Sequence, residues 1–410
     1  MRLLTDIRPL RESADFRRLW IGSTVSQLGQ QMTAVTVSIQ VYALTHSTFA
    51  VGLVGLFSLV PLIVFGLYGG AMADAIDRRT LALVSSTGLW LLSMVLVLQS
   101  HLDWEQVGVL YAVVACQSAC FAVNNPARSA IIPRLIRPEL LPAANTLSQA
   151  AFNLGFTAGP LLGAAVIAWQ GFAAAYLVDV ITFTAALYAL FRLPPVPPTG
   201  AVRRAGLRSA LEGFTFLRAA PALLATFLAD ILAMVFAQPR ALFPAVAGAF
   251  FGGGVRTVGL LQAAPAIGAL IGVIFSGWVT RVRRQGVAIV LAITAYAAAV
   301  GLFGLSRTIW LGVALLAMSG AADMVSSAYR NTVLQSAAPD AMRGRLQGVF
   351  IVVVAGGPRL GDFVAGTAAS LTSPTVALLG GAAVCITGLL ILLARNRPFR
   401  VYDSQTRALS

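Results

Sequence analysis

Carboxylates inside long apolar stretches are the residues of this sequence best placed to do chemistry. Asp179, Asp230 and Asp362 each lie well within a run of mostly apolar residues. A charge near the centre of a bilayer costs roughly 3 kcal/mol or more, so such a residue needs a functional or structural reason. These three aspartates are therefore candidates for binding and releasing a proton in a transport cycle. A structural hydrogen bond or a static ion pair is the alternative.

Asp230 is the leading proton-coupling candidate because it lies about ten residues into an apolar run. A proton-binding role predicts that it changes protonation during the cycle. A static pair with Arg240 or Arg359 is the competing interpretation. Arg359 and Asp362 are three residues apart, so on a helix they share a face and can pair with each other.

Further polar residues interrupt the apolar runs and are candidates for lining a substrate cavity. Such side chains contact a ligand or form hydrogen bonds between helices, and the second role is the commoner one. Arg330 lies two turns after Asp323, near the end of its apolar run. It is interpreted as an interface anchor whose guanidinium reaches the lipid headgroups. The cavity candidates are Gln27, Gln30, Gln31, Asn124, Asn125, Arg240, Asp323 and Arg359.

The elements that must position these residues are membrane-spanning helices. The 410 residues are 58% hydrophobic and only 11% charged, whereas a soluble domain carries about 25% charged residues. A spanning helix needs about 20 mostly apolar residues. This criterion predicts an all-α polytopic membrane protein with about twelve transmembrane helices, at 19–44, 49–73, 80–100, 105–126, 143–168, 171–191, 221–247, 256–280, 286–306, 309–332, 346–371 and 374–394.

The arginines give the orientation of these helices. All 29 basic residues are Arg, and they are concentrated in alternate loops. Arg128 is assigned to one of these Arg-rich loops. The opposite loops contain little more than Arg256 and Arg307. Because positive residues accumulate on the cytoplasmic side, this asymmetry predicts that both termini are cytoplasmic. The spans also exclude a nucleic-acid binder, which the net charge of +14 would otherwise suggest.

An internal repeat divides the chain into two halves. Arg128 matches Arg330, and Gly159-Pro160 matches Gly357-Pro358, at offsets near half the chain length. We predict an N-terminal six-helix half at 1–191, a cytoplasmic linker at 192–220 and a C-terminal half with a short tail at 221–410. Paired repeats of this kind are typical of transporters, with the substrate site near the midplane. In the linker, an interfacial helix is predicted from the helical spacing of Leu207, Leu211, Phe214 and Leu217.

Several segments resemble the major facilitator superfamily, and within it the bacterial branch that contains the enterobactin exporter and multidrug exporters. The resemblance covers almost the whole chain. It implies the fold of that superfamily, in which two pseudo-symmetric six-helix bundles surround the substrate site. The segments are DFRRLWIGSTVSQLG at 15–29, GGAMADAIDRR at 69–79, NPARSAIIPRLIRPELLPAANTL at 125–147, GFTAGPLLG at 155–163 and RGRLQGVF at 344–351.

The loop after the second span is similar to the superfamily motif G-x-x-x-D-R-x-G-R-R. Ala75 and Asp77 depart from the Arg and Gly of that motif. The resemblance implies that the aspartate faces the positive end of the eleventh helix and holds a cytoplasmic gate closed. A charge cluster that only sets topology is the alternative. The matching residues are Gly70, Asp74, Arg78 and Arg79.

The fifth span is similar to the motif of proton-coupled drug exporters through Gly155, Gly159, Pro160 and Gly163. The motif implies export by antiport, although close helix packing alone explains small residues four apart. The resemblance also implies that the helix of Asp230 lines the cavity. It places the helix of Asp179 at the periphery, which favours a structural hydrogen bond there.

Two departures weaken the proton path that the motif implies. The first span has no acidic residue; Gln30 stands where many relatives have Asp. The fourth span is predicted to lack the buried Arg of the drug exporters.

These observations predict a secondary active exporter, with proton antiport, of a bulky small molecule such as a siderophore or drug-like metabolite. An importer on the same fold is the runner-up, and a polytopic membrane enzyme is the remote alternative. No phosphate-binding loop motif is present, and no cofactor or metal site is expected. The expected partners are the substrate, a coupling proton and the lipid bilayer. A monomer in the bacterial inner membrane is expected.

Overall fold

The structure is a computed structural model that consists of helices joined by short connections. It describes residues 6–104, 106–197, 215, 217, 220–275, 282–337 and 340–403. Within the helices, the side chains of 67, 69–71, 73, 74 and 335–352 are outside this description. No strand occurs in the described residues.

Fourteen α-helices follow one another in the described part of the chain. Two short 3-10 turns, Pro138–Leu140 and Arg240–Leu242, connect some of them. The helices are α1 (Arg8–Glu12), α2 (Ala14–Thr45), α3 (Thr48–Ala75), α4 (Arg78–His101), α5 (Val107–Leu135), α6 (Leu141–Phe191), α7 (Pro221–Phe236), α8 (Phe243–Phe251), α9 (Val255–Ile274), α10 (Gln285–Phe303), α11 (Ile309–Ala337), α12 (Asp340–Leu371), α13 (Pro374–Arg395) and α14 (Arg397–Arg400).

Twelve of the helical stretches correspond to the predicted spans. Nine described stretches are long and apolar enough to cross a membrane, counting Pro138–Phe191 and Pro221–Phe251 as one each. The stretch Pro138–Phe191 divides into two helices at Gly171, whose φ of 80° breaks the helix. A glycine adopts this angle without strain. The helices α2, rich in Ser, Thr and Gln, and α12 complete the twelve.

Large apolar side chains cover the outside of the helices. Ile274 is 77% exposed, Val84 is 67% exposed and Leu291 is 64% exposed. Single exposed apolar residues occur on soluble proteins, but a surface made of them requires an apolar solvent. Because lipid provides no hydrogen-bond partner for the backbone, the helical form of each span satisfies its own amides. The chain is therefore a multi-pass membrane protein.

The chain forms two compact units. The first consists of residues 1–44 and 57–206, and the second of residues 45–56 and 207–410. The beginning of α3 thus groups with the C-terminal helices, and the Thr48 hydroxyl donates a 3.0 Å hydrogen bond to the carbonyl of Gly366. Most of the predicted linker helix lies outside the described residues.

In the first unit, the glycine face of α6 packs directly on α2. A Cβ atom added at Gly159 would lie 2.5 Å from the Cβ of Gln31, and one added at Gly163 would lie 3.1 Å from the Cα of Met32. These distances leave no room for a side chain, so the two helices touch through their backbones. The motif glycines therefore have a packing role.

In the second unit, the matching glycines of α12 pack on α7. A Cβ added at Gly357 would lie 3.0 Å from the Cβ of Met234, and Gly361 packs against the Met234 carbonyl and Gln238. In each unit, the glycine helix therefore packs on the unit's first spanning helix. This agrees with the sequence match of Gly159 with Gly357.

The fourth spanning helix is longer than predicted. The prediction ended it at residue 126, whereas α5 continues to Leu135 through Pro126 and Pro133. A proline removes one hydrogen bond and kinks a helix, but neighbouring groups compensate within a membrane bundle. The extra two turns bring Arg128 into the helical unit.

Gly159→Ala should destabilise the protein, because the new methyl group forces α6 away from α2. Overpacking of this kind costs about 1–3 kcal/mol. Gly108→Ala is the matched control, since a Cβ at Gly108 meets nothing within 4 Å. Thermal unfolding in detergent measures both variants. Equal melting temperatures for the two variants would contradict the close packing.

Candidate functional site

A cavity opens within the first unit between α2, α4, α5 and α6. Its volume is about 160 Å³, close to the roughly 150 Å³ of an engineered cavity that binds benzene. Aromatic and polar side chains share its wall. The lining residues are Phe16, Leu19, Trp20, Ser23, Thr24, Ser26, Gln27, Gln30, Leu89, Phe121, Asn124, Asn125, Arg128, Ser129, Ile132, Ser148, Ala151, Phe152 and Phe183.

Arg128 provides the charge in this wall. Its Nη1 donates to the hydroxyls of Ser23 and Ser26 at 3.2 and 3.3 Å, and its Nη2 donates to Ser86 at 3.0 Å. Its Nε is buried and has no hydrogen-bond partner among the described residues. No described carboxylate forms an ion pair with it. Three neutral hydroxyls therefore surround a full positive charge.

The prediction that the fourth span lacks a buried Arg is wrong. Arg128 was assigned to a cytoplasmic loop because the predicted fourth span ended at residue 126. The helix continues, so the guanidinium turns inward to α2 and α4. The match of Arg128 with Arg330 in the repeat was the signal that could have revealed it.

The polar candidates of the first unit separate into two groups. Gln27, Gln30 and Asn125 line the cavity. Asn124 also borders it, but its amide donates to hydroxyls of α4 at 2.8 and 2.9 Å, which ties α5 to α4. Gln31 is not among the lining residues, because its stem packs against Gly159.

Asp179 is fully inside the first unit, with 1% of its surface exposed. Its Oδ2 accepts a 2.7 Å hydrogen bond from the hydroxyl of Ser93 on α4. Its Oδ1 has no hydrogen-bond partner among the described residues, and no described cation pairs with it. Gly29 of α2 packs against its backbone. Asp179 thus joins three helices at a site apart from the lining residues.

The second unit contains a buried ion-pair cluster. Arg330 of α11 forms an ion pair with Asp230 of α7, and its Nη2 also donates to Asp323 at 3.0 Å. Asp230 and Arg330 are 3% and 5% exposed, whereas the side chain of Asp323 is 39% exposed. The cluster therefore has a buried end and an accessible end.

Asp230 thus pairs with Arg330, a partner that the sequence alone did not suggest. Arg330 lies two turns after Asp323 on one face of α11, so its side chain points into the unit and not toward the headgroups. Its burial also corrects its interpretation as an interface anchor. Arg240 and Arg359 interact electrostatically with the other carboxylates of this unit.

Arg240, Arg359 and Asp362 extend the cluster electrostatically. Arg240 interacts with both Asp323 and Asp362, and Arg359 interacts with Asp362. The backbone of Ala241 also forms a hydrogen bond with Asp362. Arg240 lies at the 3-10 turn that separates α7 from α8. All acidic and basic candidates of the second unit therefore belong to one network.

The loop motif is described in part. Arg79 donates to the carbonyls of Leu190 and Phe191 at 3.2 and 2.7 Å, where it neutralises the C-terminal end of α6. Arg78 donates through its backbone to Val196 at 3.1 Å. Gly70 and the side chain of Asp74 lie outside the part of the chain that the structure describes in full, so the gate remains a prediction.

Arg330→Gln should strongly destabilise the protein, since it leaves two carboxylates without their cation. Removing one partner of a buried pair costs about 3–5 kcal/mol. Arg18→Gln is the control, because it breaks an exposed pair with Asp15 whose loss costs about 0–1 kcal/mol. Denaturant or thermal unfolding in detergent distinguishes them. The double variant Asp230→Asn/Arg330→Gln should lose less than the two single variants together; strict additivity would contradict the pair.

Comparison with known proteins agrees with this architecture. The enterobactin exporter EntS of Shigella boydii serotype 18 is 29% identical over 408 residues, which cover 99% of this chain and 98% of that protein. Two solved structures share the fold. The POT family transporter PepTSo superposes with a TM-score of 0.74 at 14% identity, covering 95% of this chain and 99% of that one. The nucleoside transporter NupG gives 0.71 at 14% identity, covering 93% and 99%.

A family model confirms the assignment. The model described as transmembrane secretion effector matches residues 4–408. The predicted major facilitator fold is confirmed, and the family and the structural neighbours are transporters, which points away from an enzyme. This multi-pass transporter belongs to the transmembrane secretion effector family.

Proposed function

We propose that this protein is a secondary active exporter that moves a bulky small molecule out of the cell in exchange for protons, by alternating access. The substrate is a siderophore or a drug-like metabolite. The protein acts as a monomer in the bacterial inner membrane, with both termini in the cytoplasm. The arginine distribution supports the orientation, and the similarity to an enterobactin exporter supports export.

The observation that carries the proton exchange is the Asp230–Arg330–Asp323 cluster. Binding of a proton to Asp230 cancels the attraction that holds Arg330 against α7. Arg330 then retains its contact with Asp323 on its own helix. One protonation thus loosens the connection between α7 and α11 and leaves α11 internally intact, which couples a proton to a helix rearrangement.

The charge count of the network favours a single coupling proton. With every side chain ionised, its arginines and aspartates balance, so the network is neutral overall. One bound proton leaves a net charge of +1, which is costly away from water and favours opening toward an aqueous side. The balanced members are Arg240, Arg330 and Arg359 with Asp230, Asp323 and Asp362.

Asp179 has a different role in this proposal. Hydroxyl groups, that of Ser93 among them, hold the carboxyl group of Asp179, and no described cation pairs with it. It thereby connects α6 to α4 without taking part in the proton exchange. We therefore assign Asp179 to structure, and the coupling proton to the network of the second unit.

Transport in liposomes with an imposed pH gradient tests the function. We expect gradient-dependent movement of a catecholate siderophore or of a member of a drug-like panel, and no movement when a protonophore collapses the gradient. Protein-free liposomes are the control. Accumulation in the direction of import would contradict export. Transport at a rate that does not depend on the pH gradient would contradict proton exchange.

Asp230→Asn tests the coupling residue. The amide cannot carry a proton through the cycle, so we expect pH-driven transport to fall at least about tenfold, while substrate binding persists. Asp15→Asn removes an equal charge from the exposed start of α2 and should transport normally. If Asp230→Asn keeps pH-driven transport while Asp179→Asn loses it, the assignment of the proton to Asp230 is wrong.

A further inference from the structure

The two matching arginines of the repeat have unlike surroundings. Arg330 of the second unit contacts the carboxylates of Asp230 and Asp323. Arg128 of the first unit contacts the hydroxyls of Ser23 on α2 and Ser86 on α4, and no described carboxylate pairs with it. The charge of Arg330 is neutralised within its unit, whereas no carboxylate in the described part of the chain neutralises that of Arg128.

An uncompensated guanidinium inside a membrane protein is costly, and hydroxyl dipoles compensate it only in part. Two further features show that the surroundings of Arg128 favour a negative ligand. The Nε of Arg128 and the Nε1 of Trp20 are both buried without hydrogen-bond partners among the described residues. Both side chains line the cavity. Two unpartnered N–H groups thus lie buried just behind the wall, beside a positive charge, and a small side-chain rearrangement on ligand binding would expose them.

The rest of the wall specifies the body of the ligand. Phe121, Phe152 and Phe183 provide aromatic surface, and Gln27 and Gln30 provide amides. Arg128 is the only charged side chain among the described lining residues. A volume of about 160 Å³ accommodates one substituted aromatic ring. Aromatic walls favour a flat ring, and the donors favour acceptor or anionic oxygens on its edge.

We propose that Arg128 is a specificity-determining residue of a subsite for one aromatic ring that bears an anionic oxygen group, such as a carboxylate or an ionised phenol. The inference rests on the proposed function in one respect, because it takes this ring to be part of the transported molecule. A bulkier substrate inserts one such arm into the cavity. The guanidinium and the Trp20 indole donate to the anionic group, while the phenylalanines contact the ring.

This subsite would discriminate by charge more than by shape. An isosteric neutral amide has its own N–H donors, which face the donors of Arg128 and Trp20. The site then loses the charge-assisted hydrogen bond and leaves buried donors unpaired. Losses of this kind correspond to about tenfold or more in affinity.

Direct binding to the full-length protein in lipid nanodiscs tests the subsite. The probes are salicylate and salicylamide, which share a ring and a hydroxyl but differ in charge at neutral pH. We expect the wild-type protein to bind salicylate at least about tenfold more tightly than salicylamide. Equal affinities would overturn the proposal without any variant.

Arg128→Gln should remove the preference for salicylate. Arg134→Gln is the matched control, because it removes the same charge from an exposed position of the same helix and should keep the preference. Arg128→Lys keeps the charge but loses the forked donor geometry, so we expect an intermediate preference. An unchanged preference in Arg128→Gln would overturn the role of Arg128. Size-exclusion chromatography checks that each variant remains folded. If Arg128→Gln does not fold, the Arg128→Lys variant and the relative affinities of the wild-type protein for salicylate and salicylamide test the proposal.

Binding and transport separate this inference from the proposed function. Charge-selective binding that depends on Arg128, without any pH-driven transport, would support the subsite and contradict the transport mechanism. Transport of a substrate by a protein that shows no salicylate preference would support the exporter and overturn the subsite.

Discussion

A lipid bilayer offers no water to a buried guanidinium, so an arginine inside a membrane bundle takes its partners from neighbouring helices. In this protein that constraint acts at the same point of both repeats. Arg330 draws α7 and α11 together through Asp230 and retains Asp323 on its own helix. Arg128 draws α2 and α4 toward α5 through the serine hydroxyls. The same sequence position therefore organises the helix contacts of each unit.

The repeat explains why the two halves share a frame but divide the chemistry. Carboxylates around Arg330 make a network whose charge changes when one proton binds, which suits energy coupling. Hydroxyls around Arg128 leave its charge available, which suits recognition of a ligand. The partners themselves are not in matching positions, since Ser86 lies on the neighbouring helix α4 whereas Asp323 lies on the same helix as Arg330. The two halves thus share a helix arrangement but differ in the charge that surrounds the matched arginine.

Sequence reasoning predicted the spans well because lipid imposes a simple rule of length and apolarity on each helix. It succeeded less with the interior, where the partner of a charge depends on which faces of distant helices meet. Asp230 stands out in the sequence as a charge within an apolar run, but no sequence pattern identifies Arg330 as its partner. Arg128 was assigned to a loop because it follows the apolar run of the fourth span, whereas the helix continues beyond that run to Leu135. The gate residue Asp74 lies where the structure does not describe side chains, so that prediction stands on the motif alone.

The glycine faces link the packing of the fold to both chemical sites. A Cβ at Gly155 would lie 2.7 Å from the Cγ of Gln27, a residue of the cavity wall. In the second unit, Gly357 and Gly361 pack on α7 one turn beyond Asp230. Backbone contacts of this kind contain no long side chains that could absorb a small displacement. A shift of the glycine helix would therefore be passed directly to the cavity wall in the first unit and to the helix of Asp230 in the second. Close packing therefore accounts for the small residues at these positions.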